Sequence, residues 1–148
     1  MGKAHAMDET EKHFDKGYVL FRYSGAYNTD YIIRDLAPLL ASASREELLN
    51  FRALIVDLNA VSKIEMFDSD VSINNGAFLD FKGSLDLKAL DIQEIALNLQ
   101  RLIICPTHLR GAWSERMERV KTAAVWRILP EFVFFDTPEA AVAAVNPV

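Results

Sequence analysis

A single α/β domain, with a mostly parallel central sheet of four or five strands flanked by helices, is the fold this sequence predicts. Three observations carry that expectation. Ala53-Leu54-Ile55-Val56, Leu102-Ile103-Ile104-Cys105 and Phe132-Val133-Phe134-Phe135 are continuously apolar runs, as strands covered on both faces require. Helical spacing lies between them: Trp113, Met117, Val120, Ala124 and Ile128 advance by three or four residues and share one face. Finally, a chain of 148 residues falls in the commonest size range for one domain and can bury roughly two-thirds of its unfolded surface in one core.

The opening MGKAHAMDETEKHFDKG mixes charge with two histidines and has no sustained periodicity, so residues 1–16 are expected to be a flexible leader ahead of a domain over 17–148. Met7 is a candidate natural start. Tyr18, Leu20 and Arg22 alternate with Val19, Phe21 and Tyr23 in a β-prone, aromatic segment that runs to Gly25, which predicts a strand. Asn28 or Thr29 can cap the helix that follows, with Ile32, Ile33, Leu36, Leu39 and Leu40 at helical spacing and Pro38 expected to bend or interrupt it. Ser44 and Glu47 have capping-box spacing and open a short helix through Leu48 and Leu49. The next strand is expected from Phe51 to Leu58, followed by a loop of small polar residues. In the segment 67–98, Val71, Phe78 and Phe81 fit one helix, Gly83-Ser84 a break, and Ile92 to Leu99 another helix. After the last apolar run, Asp136 with Glu139, or Thr137 with Pro138, supplies a start for the helix EAAVAAV.

Composition removes several function classes. A formal charge of -5 gives no general attraction for phosphate backbones or anionic lipid, so nucleic acid is not an expected partner. No apolar run approaches the roughly 20 residues needed to span a bilayer, and no apolar signal segment opens the chain. The single cysteine, Cys105, has no intramolecular disulfide partner, and a cytoplasmic protein is expected. Ser24-Gly25-Ala26 holds one glycine where phosphate-cradling loops need several. G-x-S-x-G, H-E-x-x-H and C-x-x-C patterns do not occur, and no cofactor is expected.

The pieces FRYSGAYNTD, LIVDLNAVSKIE, RLIICPTH and FFDTPEAAVAAV occur in an order that resembles the STAS domains, especially their SpoIIAA-like branch, over roughly residues 18 to 145. The resemblance implies a SpoIIAA/STAS-like fold and a regulatory or binding module that is not itself an enzyme. Relatives that act as anti-sigma-factor antagonists carry a D-S-S-G-like signature after the D-L-x-x-V strand, with a serine that is phosphorylated to release a partner. Here Glu65-Met66-Phe67-Asp68 stands in that place. Ser69 enters the register only after a three-residue slip, and Asp68 and Asp70 would repel an added phosphate. The SpoIIAA-like branch, which the resemblance associates with apolar or lipid-like ligands, fits better.

Topology places the candidate residues. Ligands and partners of parallel sheets meet the carboxyl ends of the strands, which puts Asp57, Asn59, Ser62, Met66, Phe67 and Ser69 on one rim with Thr107, His108, Arg110 and Trp113. These are the expected contacts for a protein partner or a small apolar ligand, with self-association as a homodimer a further expectation. Glu65, Asp68 and Asp70 are oxygen ligands by type, but they lack the glycine and distal glutamate of a calcium loop, so capping and solvation are expected instead of a metal. Cys105 and His108 raise an alternative, a small cysteine-dependent enzyme, because an activated thiol needs a nearby base. Against it, Cys105 follows Ile103-Ile104 within a strand, where a small buried residue belongs. A phosphoswitch through Ser69 is the other alternative. Arg110, Arg116, Arg119, Lys121 and Arg127 concentrate positive charge around one helix, and a solvated face with ordinary charge pairs is expected there. Trp113 fits the apolar stripe of that helix as well as it fits an interface.

Overall fold

The computed structural model describes residues 7–27, 30–65, 83, 88, 90, 99–120 and 132–145. Strands β1 (Met7–His13), β2 (Tyr18–Tyr27), β3 (Ala53–Ile64), β4 (Gln100–Ile104) and β5 (Val133–Phe135) form one sheet whose spatial order is the chain order. β1 runs antiparallel to β2, and the other three pairings are parallel. Helices α1 (Asp30–Ser42) and α2 (Arg45–Asn50) precede β3, α3 (Arg110–Val120) follows β4, and α4 (Pro138–Ala143) follows β5. The mostly parallel α/β sheet of four or five strands expected from the sequence is the fold observed, with five strands.

Chain order and sheet order coincide, so every crossover steps the same way, and right-handed crossovers that do so stack their helices on one face. On that face Ile32, Leu36 and Leu40 of α1, Leu48 of α2 and Trp113 of α3 pack with Val19, Phe21, Leu54, Val56 and Ile103 in the larger core. The opposite face carries a smaller core in which Tyr18, Leu20, Ala53, Ile55, Leu102 and Ile104 pack with Ala141 of α4.

The expectation of a flexible leader is corrected over residues 7–16. From Met7 to His13 the leader is a strand, and the turn after it, Phe14–Lys16, buries Phe14. Gly17 then takes φ +89°, a conformation that favours glycine, and its carbonyl accepts the amides of Arg52 and Ala53 at 2.7 and 3.0 Å. Apolar periodicity does not reveal β1 because its cross-strand partners are ionic and aromatic: Glu9 and Glu11 meet Arg22, and His13 stacks on Tyr18 at 4.8 Å. Of the two outcomes expected at Pro38, a bend or an interruption, the interruption does not occur, since α1 continues to Ser42. The Pro38 side is exposed, where water can take the carbonyl that the proline ring leaves without a donor.

The cap expectations for α2 and α4 hold. Ser44 Oγ accepts from the Glu47 amide at 3.1 Å while the Glu47 carboxylate accepts from the Ser44 amide at 2.9 Å. Thr137 Oγ1 accepts from Ala140 at 3.1 Å, with Pro138 in the first turn. Asn28 and Thr29, the segment 67–98 apart from residues 83, 88 and 90, and Ala124 and Ile128 lie outside the described residues or positions.

β3 differs most from its expectation, running six residues beyond Leu58. Its register against β2 shifts twice: Arg22 pairs with Asp57 but Ser24 with Ala60, and Gly25 pairs with Val61 but Ala26 with Lys63. Each shift puts one extra residue into β3, which is a β-bulge. Strict alternation along the strand would point every second residue inward, and each extra residue turns a step of two into a step of three. Leu58, Val61 and Ile64 are therefore all buried in the larger core, while Asn59-Ala60 and Ser62-Lys63 are exposed pairs. β5 also departs from the buried strand expected. It is the sheet edge, with Val133 55% exposed and Phe134 and Phe135 half-buried.

Candidate functional site

Asp57 is the last residue of β3 that pairs with β4, opposite Ile104. From there β3 continues beside β2 alone among the described strands, so a β2–β3 ribbon projects past the end of β4. At Ile104 the chain leaves the sheet through Cys105 and Pro106 and the 3-10 turn Thr107–Leu109 into α3. The exposed side chains at this end are Asn59, Ser62, Thr107 and His108 among the expected rim residues, with Ala60 and Lys63 added by the bulges.

Three other expected residues are buried or half-buried. Asp57 is buried; one carboxylate oxygen accepts the Asn59 amide at 3.0 Å and the other lies 3.5 Å from Arg22 Nε. Trp113 is a core residue, because its ring stacks over Tyr27 at 6.3 Å and meets Phe132 edge-on at 5.3 Å. Arg110 is half-buried and spans the α3 start: Nε donates to the Cys105 carbonyl at 2.9 Å, Nη2 pairs with Asp136 at 3.2 Å, and the guanidinium lies 4.9 Å from the Phe134 ring centroid. It ties the loop to β5. Met66, Phe67 and Ser69 lie outside the described residues, as do Asp68 and Asp70.

The thiol of Cys105 is placed as a structural residue. It is 2% exposed within the larger core, and burial pushes it up to about 11, with the Arg110 charge opposing that only in part. A nucleophile at neutral pH has to be a thiolate, and this environment disfavours one. His108 is exposed on the turn, and no hydrogen bond joins it to Cys105. The positive helix expected as a solvated face is also not uniform: Arg116 is 2% exposed.

Sequence reasoning missed the polar cluster beside Asp57. Glu9 and Glu11 from β1 and Asp57 from β3 converge on Arg22 of β2, with Glu9 at 3.2 Å and Glu11 in direct contact. The guanidinium occupies the place among the three carboxylates that a cation would take. No group of three or more histidine, cysteine or acidic residues is arranged to hold a metal among the described residues. Hydrogen bonds from His13 and then Arg22 hold the Glu11 carboxyl below its usual value, and Glu11 in turn raises the Arg22 guanidinium. Alternation of Glu9, Glu11 and His13 was the available signal, legible only with Arg22 known to lie across from it.

No family model matches the chain, and no curated protein matches it. The chain is similar to the solved structure of the anti-sigma factor antagonist SpoIIAA in its unphosphorylated form, at 14% identity and a TM-score of 0.42. That likeness covers 93% of this chain and 96% of the other. It is a distant resemblance of the kind the sequence pieces implied. A second likeness, to the crystal structure of Mglu, has 10% identity and a TM-score of 0.32 over 70% of this chain and 21% of that one. No helix among the described residues is long and apolar enough to cross a membrane.

Proposed function

We propose that this chain is a non-catalytic regulatory or binding module that docks a protein partner on the projecting part of β3 and the neighbouring Thr107–His108 turn. The observation that carries the reading is the pair of bulges in β3, which turn Asn59-Ala60 and Ser62-Lys63 outward while Val61 and Ile64 stay in the core. Bulges re-aim side chains at sheet ends and occur next to functional sites. Sheet order supports a macromolecular partner over a small ligand. Crevices at the carboxyl ends of parallel strands open where neighbouring crossovers diverge to opposite faces, and strands placed in chain order have no such reversal. The buried, reduced Cys105 agrees with a cytoplasmic setting. A second copy of the chain is one candidate partner.

Affinity capture from lysate with the full chain tests this reading when paired with Asn59→Arg/Lys63→Glu, and with Glu46→Lys on α2 as the control. All three positions are exposed, so circular dichroism and the unfolding midpoint should stay unchanged. A protein held by the wild type and the control but lost at least tenfold with the double variant supports the rim. Equal retention by all three overturns it. Native mass spectra of the same preparation read subunit number, and a discrete retained small molecule there would transfer the reading to an apolar-ligand carrier.

A further inference from the structure

Arg101, the second residue of β4, pairs in register with the fully buried Leu54 and is only 3% exposed. Its guanidinium lies 5.8 Å from the centroid of the Phe132 ring, and Nη2 makes one long hydrogen bond, 3.4 Å, to the Leu99 carbonyl. Nε and Nη1 are buried and meet no acceptor among the described residues. Burial pulls the group down to about 10, which leaves it charged at neutral pH. A lysine so placed could shed its proton, but guanidinium holds its own and offers only donors. A buried charge with unfilled donors is costly, and carboxylate or phosphate oxygens are the groups that best relieve it.

We propose that Arg101 anchors an oxyanion-binding site at the amino end of β4, taking a carboxylate or phosphate group on its unfilled N–H donors. Phe132, half-buried just ahead of the edge strand β5, lends its ring face to the same guanidinium. Leu54, its register partner, and Leu99, whose carbonyl it meets, are buried in the larger core, so an oxyanion held there would pair with the guanidinium in apolar surroundings. The site lies at the opposite end of the strands from the proposed docking rim and is independent of it.

The test is thermal unfolding of the full chain in millimolar inorganic phosphate or octanoate, against sodium chloride at equal ionic strength. A ligand that binds only the folded state, at about 100 times its dissociation constant, raises the midpoint of a domain of this size by about 5–10 °C. A saturable rise with phosphate or octanoate is expected in the wild type, and its loss in Arg101→Leu. Response to phosphate alone identifies a small oxyanion or phosphoryl group, and response to octanoate alone a carboxylate with an apolar tail. Should the variant fail to fold, the Arg101 Nε–H resonance of the wild-type protein gives a direct readout and should shift on titration. No rise beyond the chloride control, an equal rise in Arg101→Leu, or an unmoved Nε–H resonance overturns the site.

Discussion

Arg22 holds together a cluster in which three carboxylates from two other strands share one guanidinium, and the titration of Glu11 reports on it. Hydrogen bonds from His13 and then Arg22 hold the folded-state value of Glu11 below the ordinary glutamate value. A carboxyl depressed by folding contributes stability that is full above its unfolded value and is lost as pH falls through the folded value. Glu11→Gln should therefore lower the unfolding midpoint at neutral pH, and the gap to wild type should close as pH falls below the ordinary glutamate range. Denaturant midpoints across that range check it. A gap that persists at the acid end would mean that Glu11 acts through packing or neutral hydrogen bonds. Asp57 was legible only as a polar residue placed on the rim at the end of a buried run. Its partner was not, because Arg22 and Asp57 are 35 positions apart in sequence and only the strand register brings them together.

Element by element, legibility followed locality. The capping box at Ser44 and Glu47 and the Thr137-Pro138 start need only neighbouring residues, and both are present as read. β4 and the first half of β3 were legible because continuous apolar runs report burial on two faces. β1 was not, since an edge strand paired through charges carries no apolar period. The second half of β3 was hidden because a bulge imitates a loop: small polar residues interrupt the pattern while the strand continues. Its physical test is direct. Simple alternation from Leu54 would point Ser62 inward and Val61 outward, whereas the bulged register buries Val61 and exposes Ser62. Val61→Asp should cost more than about 3 kcal/mol by placing an unpaired charge in the core, while Ser62→Asp should stay within about 0.5 kcal/mol. Urea denaturation of both variants decides between the registers, and the reverse ranking would remove the bulges.

At the scale of the whole molecule, sheet order makes the two faces unequal. Crossovers that step the same way give one face α1, α2 and α3, and among the described elements only α4, six residues long, packs on the other. That helix meets β3, β4 and β5 through the fully buried Ala141, with Val142, Ala144 and Val145 packed beside it. A helix this short has little stability of its own in water, so the Thr137 cap and contact with the sheet must hold it in place. The dependence is mutual, because α4 covers a face that includes Ile55, Leu102 and Ile104. A chain ending at Asp136 should expose those side chains as one apolar patch, and patches of that kind drive association. Sedimentation velocity should show oligomers or aggregates where the full chain gives a single species, and a dye specific for apolar surface should brighten severalfold. Restoring residues 137–148 with Ala141→Glu should reproduce the defect, since the helix returns but its contact residue carries a charge to the sheet. A truncated chain that stays a single, dye-dark species with an unchanged unfolding midpoint would mean that α4 is not what covers this face.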